Sequence, residues 1–265
     1  HRDELEAIVE DALLHFGKHP GVLAVCGYHL LKRGDIHRGL SILRDNHWGQ
    51  PPAPRDADLA GLPAWDGRPF AGTLLVTGEQ GLGEEVLAAR FLPALQATGQ
   101  SCVVTCEARL LPIFRRSFPG LSFVAHGSPE RGALVAQQRP QQRVRAIDLG
   151  SFFPLEAAAA GPWLQPDAPR TASLRAGWRA RWPGRRTVAV SWASQRRLQG
   201  RAGKSMPVET LRPLLERGDL VAISCQYGDL REDFATLAGL GLPTPWQEPE
   251  LDPTRDLDGL LALLG

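Results

Sequence analysis

The chain has 265 residues, 43% of them hydrophobic, enough to bury the core of one large or two ordinary domains and to set disorder aside. Thirty Lys and Arg against twenty-nine Asp and Glu leave a formal charge of +1, so no overall field draws nucleic acid or an anionic membrane. No apolar run reaches the roughly 18 residues of a membrane span and no basic-then-apolar leader opens the chain.

The first residue is His1 rather than Met, which predicts a processed product or a piece cut from something longer. From Asp3 to Asp45 apolar residues recur at helical spacing, broken at Gly17-Lys18-His19-Pro20 and at Arg33-Gly34-Asp35, which predicts antiparallel helices. From Pro20 onward the pattern follows the tetratricopeptide register, with Gly27 at a close helix approach, Gly34-Asp35 at the turn, Gly39 at a small-residue position and Pro51 near the repeat end. One such unit cannot close its own core, so either further repeats precede it or these helices cap the next domain.

A proline-rich connector, Gln50 to Arg55, ends this helical segment, read as 1–50. In 56–165, Thr73–Thr77, Ser101–Thr105, Leu121–Ala125 and Val144–Leu149 read as strands, with helices over Glu85–Ala97 and Ala108–Arg116. Strands alternating with helices at this spacing predict a parallel sheet. In 170–265 a helix over Ala172–Trp182 precedes strands Thr187–Trp192 and Leu220–Gln226 and helices Pro207–Glu216 and Leu230–Leu240. Two strands are too few for an independent doubly wound domain, so either this second α/β unit is incomplete or the two units share one sheet.

The four cysteines, Cys26, Cys102, Cys106 and Cys225, show neither redox-pair nor zinc-ligand spacing, which predicts reduced core thiols in a cytoplasmic protein. His15, His19, His29, His37 and His47 fall in or beside the helical segment without an acid or cysteine grouping, and no metal site is read. His126, after the third strand of the first sheet, is placed facing a cleft as an acceptor-site candidate.

The sharpest local signal is Gly78-Glu79-Gln80-Gly81-Leu82-Gly83-Glu84, between a strand and a helix. Glycines there let the backbone approach a ligand, and free N–H groups at a helix start favour anions. No Lys-Ser/Thr follows, so a phosphate-clamping NTPase loop is unsupported. A dinucleotide loop using Gly78, Gly81, Gly83 and Glu107 is a rival, although the glycine spacing is GxxGxG rather than GxGxxG. A tight turn without ligand is the plainer reading.

Leu62-Pro63-Ala64-Trp65-Asp66-Gly67, the Thr73 to Glu85 run, Val190-Ser191-Trp192-Ala193-Ser194, Lys204-Ser205-Met206-Pro207-Val208 and Ser224-Cys225-Gln226-Tyr227-Gly228-Asp229 follow one another in order. Together they resemble tetratricopeptide-repeat-linked glycosyltransferases of bacterial type, relatives of the heptosyltransferases, over about Leu62 to Asp258. The resemblance implies a GT-B fold of two Rossmann-like units, with 56–165 on the acceptor side and 170–265 starting the nucleotide-sugar domain. It also implies an inverting, metal-independent transfer of a sugar from a nucleotide diphosphate to a protein or glycan acceptor, with no cofactor beyond that substrate.

By the same resemblance Glu84 takes the place of the proposed base, where the family usually carries Asp. One extra methylene moves a carboxylate by about an ångström, a displacement that can cost roughly 100-fold. Stabilisation of the helix N-terminus is the other role open to Glu84. Gly78, Glu79, Gln80, Gly81, Gly83 and His126 become the acceptor-side loop, and Ser191, Ser194, Lys204, Gln226 and Tyr227 the donor side. Lys204 is suited to neutralise charge on a departing diphosphate, with Arg196, Arg197 and Arg201 nearby in sequence. A partner-binding scaffold with a degenerate transferase domain is the competing class.

Overall fold

Three helices, α1 (Arg2–Phe16), α2 (Pro20–Arg33) and α3 (Ile36–Trp48), open the computed structural model, which describes residues 2–48, 56, 59, 61–79, 81–155, 161–194 and 205–265. Pro20 starts α2 where a helix leaves the first N–H unpaired in any case. Gly34 ends it at φ +86°, a left-handed conformation without a Cβ penalty in glycine, and its N–H returns to the Leu30 and Leu31 carbonyls. The α2–α3 pair is close because its contact point lacks side chains. A Cβ on Gly27 would stand 2.6 Å from Leu43 Cγ, and one on Gly39 would stand 2.9 Å from the Gly27 carbonyl oxygen.

These helices belong to the first of two compact units, His1–Leu164 and Gln165–Gly265. The first unit holds a parallel sheet of β1 (Thr73–Thr77), β2 (Ser101–Cys106), β3 (Ser122–Ala125) and β4 (Gln142–Arg145) in the order β3-β2-β1-β4. Strand β1 has neighbours on both sides, and Leu74, Leu75 and Val76 are fully buried, as an unbroken apolar run in a parallel sheet requires. The mixed α/β class, the helical opening and the parallel sheet agree with the sequence reading.

Several predicted elements are corrected. The single helix expected over Glu85–Ala97 is α4 (Leu82–Ala88), a 3₁₀ turn (Ala89–Phe91) and α5 (Leu92–Ala97). Pro93 has no N–H to return to the Ala89 carbonyl, so the helix is interrupted there. Ala108–Leu110 is likewise a 3₁₀ turn ahead of α6 (Leu111–Ser117), where Pro112 acts in the same way. The strand expected over Val144–Leu149 ends at Arg145 and becomes a 3₁₀ turn, Ile147–Ser151. Ala146 N–H is the last to reach β1, at Thr77 O, whereas Ile147 N–H donates to the Glu79 carboxylate at 3.0 Å. Helix α7 (Pro129–Gln138) was not expected; none of its residues is fully buried, and Leu134 and Val135, which pack on the core, are a short apolar signal.

Helix α3 lies on that last 3₁₀ turn. A Cβ on Gly150 would run into Leu40 and Phe91, Arg44 Nη1 donates to Ser151 Oγ at 3.0 Å, and the Arg44 guanidinium lies 4.8 Å from the Phe152 ring centroid. Helix α3 therefore packs on the α/β part of its own unit.

The second unit has β5 (Arg186–Val190) and β6 (Leu220–Ser224) paired in parallel, with Trp246 adding a parallel bridge to Ile223. Successive β6 side chains point to opposite faces. Val221 and Ile223 pack with Trp178 of α8 (Ala168–Arg181) and Leu263 of α11 (Leu257–Leu264), whereas Ala222 packs with Val190, Leu215 and Leu237. The helix expected over Pro207–Glu216 is a 3₁₀ turn (Val208–Leu211) and a short α9 (Arg212–Leu215), which holds Pro213; α10 (Arg231–Gly239) follows β6. No described helix is long and apolar enough to cross a membrane.

Candidate functional site

In the first unit the glycine loop leaves β1 at its carboxyl end and enters α4. None of Gly78, Gly81 and Gly83 has a positive φ, so conformational freedom is not why they are glycine. Gly78 is pressed against the end of β2: its N–H donates to Thr105 Oγ1 at 3.1 Å, and a Cβ there would stand 2.6 Å from Thr105 O and 2.7 Å from His126 Nε2. Gly81 is the N-cap of α4, its carbonyl accepting from Glu84 and Glu85 N–H at 3.0 Å, and Gly83 has open space where a side chain would go. Gln80 lies outside the described residues.

The loop places three carboxylates differently. Glu79 is buried; it pairs with the Arg145 guanidinium and accepts from Ile147 N–H, fixing the ends of β1 and β4 together. Burial pulls Arg145 down, but the charge and hydrogen bond of Glu79, with Asp148 and Glu84 behind them, outweigh it and hold the guanidinium above its ordinary range. Glu84 is exposed in the first turn of α4. Glu85, the acid that sequence reading passed over, is buried: one oxygen lies 2.6 Å from His126 Nε2 and the other accepts Glu107 N–H at 2.8 Å. His126 thus faces Glu85, and its Nδ1 is buried without a partner among the described residues. Glu107, the acid of the dinucleotide alternative, is held by Arg109 Nε at 2.8 Å.

Glu79 and Glu84 also border a cavity of about 460 Å³ between α2, α3 and the loops that follow β1 and β4. Its walls are apolar, from Leu31, Ile36, Leu40, Leu43 and Phe91. Its polar side adds Arg145, Arg90, His47 and Asp148, with His47 Nδ1 and Asp148 Oδ1 3.4 Å apart. The sequence carried one signal for Glu85, an acid in phase with Ala88, Ala89 and Leu92 on an apolar stripe that runs from α4 to the start of α5. It carried none for Arg145 or Asp148, whose roles depend on where β4 stops.

In the second unit the segments after β5 and β6 are joined by one amide. Gln226, buried, accepts Ser191 Oγ–H at 3.1 Å, Trp192 N–H at 3.0 Å and Ala193 N–H at 2.9 Å on Oε1, and its Nε2 donates to the Ala193 and Tyr227 carbonyls. Ser191, Gln226 and Tyr227 are therefore brought together, with Tyr227 half-buried beside the clamp. Ser194 N–H donates to Ser205 Oγ at 3.0 Å. Trp192 is core, its indole N–H donating to Asp233 at 2.7 Å. Lys204, Arg196, Arg197 and Arg201 lie outside the described residues. All four cysteines are free, and burial pushes the Cys102 and Cys106 thiols up to about 12.

No protein-family model matches the chain, and no solved structure matches it. The chain is similar to Protein FlbA of Caulobacter vibrioides, 33% identical over 230 residues, which are 80% of this chain and 38% of that protein. It thus spans about two fifths of the length of this relative, whose name states no activity.

Proposed function

We propose that the chain is part of a glycosyltransferase of GT-B type that moves a sugar from a nucleotide-diphosphate donor to a hydroxyl of a protein or glycan acceptor. The observation that carries this reading is one of placement. The segments that resemble the family follow the carboxyl ends of parallel strands, Glu79 to Glu84 after β1, Ser191 to Ser194 after β5 and Gln226 to Tyr227 after β6, where open α/β sheets bind ligands. The first unit is assigned the acceptor side and the second the donor side.

In the inverting step the acceptor oxygen bonds to the anomeric carbon as the bond from that carbon to the diphosphate breaks. Glu84 takes the hydroxyl proton, and the nucleoside diphosphate leaves with its new charge met by Lys204. Exposure in the first turn of α4 leaves the Glu84 carboxylate accessible to an acceptor. Glu79 acts at one remove, holding Arg145 and the loop; Gln226 likewise shapes the segment that carries Ser191 and Ser194. Thermal-shift measurements against UDP, GDP, ADP and CMP test the donor side: a ligand at about 100 times its Kd adds about 2.7 kcal/mol, a shift of a few degrees or more. One nucleotide stabilising the chain but not Lys204→Ala is the expected result; silence across the panel sinks the donor assignment.

A second reading, a partner-binding scaffold, is favoured by a different observation. Ile8, Leu14 and Phe16 of α1 and Val25 of α2 are 60–80% exposed, an apolar surface that α3 does not cover. It predicts partner capture through α1 and α2 with no effect of nucleotide.

A further inference from the structure

The cavity of the first unit, which Glu84 borders, also holds groups that sugar transfer leaves unused. Leu31, Leu40, Leu43 and Phe91 make its walls, and at its rim Tyr28 and Leu87 stand 59% and 54% exposed. An apolar concavity rimmed by large exposed apolar side chains favours an apolar body that leaves water to fill it. About 460 Å³ is within the range of small-molecule sites, roughly 300–1,000 Å³.

Among these walls sits a carboxylate that is not satisfied. The Asp148 side chain is 1% exposed; His47 approaches its Oδ1, but its buried Oδ2 meets no hydrogen-bond partner among the described residues. A buried acceptor left in that state costs more than an ordinary hydrogen bond gains, so a donor delivered to it is favoured. Three carboxylates, Glu79, Glu84 and Asp148, border the cavity against two guanidiniums, Arg90 and Arg145, a balance that disfavours an anionic head. Glu79 and Arg145 neutralise each other directly, and the Arg90 guanidinium lies 5.2 Å from the Trp163 ring centroid.

We propose that this cavity binds a small amphipathic ligand whose apolar body lies between α2, α3 and α4 and whose head, an ammonium or a hydroxyl, donates a hydrogen bond to Asp148 Oδ2. A carboxylate head is rejected, because it brings a second acceptor and a second negative charge to Asp148. The site needs no nucleotide and lies wholly within His1–Leu164, so its test stands apart from that of the transfer reaction.

Calorimetric titration with phenethylamine, phenethyl alcohol and hydrocinnamate compares a cationic, a neutral and an anionic head on nearly one apolar body. The amine, the alcohol or both bind saturably, and hydrocinnamate binds at least about tenfold more weakly, the discrimination expected of a hydrogen bond to a charged group. Asp148→Asn, nearly isosteric, loses about tenfold or more of that affinity. Leu87→Trp, at the exposed rim and outside the core, weakens the same ligands by filling the mouth. Equal binding of all three heads, no binding by amine or alcohol, or full affinity retained in Asp148→Asn overturns the proposal. Should Asp148→Asn not fold, the head-group comparison on the unaltered chain and Leu87→Trp decide it.

Discussion

The two parallel sheets are built to different degrees of closure. Strand β1 is hydrogen-bonded to β2 on one side and β4 on the other, and every residue of it is buried. Strand β5 pairs with β6 alone among the described strands, and Arg186, Thr187 and Ala189 are exposed. The same local chemistry, a short β-branched and apolar run followed by a turn, thus gives a central strand in one unit and an edge strand in the other. Burial of such a strand is set by its neighbours, which a run of apolar residues does not itself specify. The strand ends are also held by different means, a buried ion pair at Glu79–Arg145 in the first unit and a neutral amide at Gln226 in the second.

The largest expected effect breaks the comparison at its centre. Leu75→Ala in β1 removes a fully buried side chain and should cost about 3–4 kcal/mol, whereas Val188→Ala in β5, at a half-buried position, should cost under about 1.5 kcal/mol. Urea unfolding of both variants checks this, and equal losses would show that β5 is as central as β1.

The next effect compares the clamps. Glu79→Gln leaves Arg145 largely buried without its charge partner, at a cost of about 3 kcal/mol, at the low end because the Arg145 side chain keeps 30% of its surface exposed. Gln226→Ala leaves Trp192 and Ala193 N–H groups unpaired and should cost about 2 kcal/mol. Measured in high salt, the Glu79→Gln loss should shrink little, because a buried pair is weakly screened. A loss that vanishes with salt would place Glu79 at the surface.

The smallest effect concerns the second unit alone. The Arg170 guanidinium hydrogen-bonds Asp256, the N-cap of α11, and holds its carboxyl below its ordinary value despite opposing burial, with Gly259 N–H and the Arg170 charge assisting. A lowered folded value means that this stability is present above the unfolded value of about 3.9 and is lost as pH falls through the folded one. Wild type should therefore lose more stability than Asp256→Asn between about pH 4 and 2, by a modest amount, since the two side chains keep 35% and 31% of their surface exposed. Parallel pH profiles would remove the pair from the account.

Residue patterns alone determined the helical opening, the α/β class, most strand positions and the breaks at Pro20 and Gly34, because these depend on local periodicity and on backbone conformations that proline and glycine restrict or permit. That Glu79 and Glu84 lie in one strand-to-helix turn was also legible, since a glycine-bearing turn after an apolar run puts such residues at a sheet's carboxyl edge. Tertiary structure alone decided that β4 stops at Arg145, that Glu85 rather than Glu84 meets His126, and that Asp148 is buried beside α3 with an oxygen unpartnered among the described residues. Each of those depends on segments far apart in the chain meeting in space, and neither spacing nor propensity encodes which of two adjacent acids a distant histidine will find.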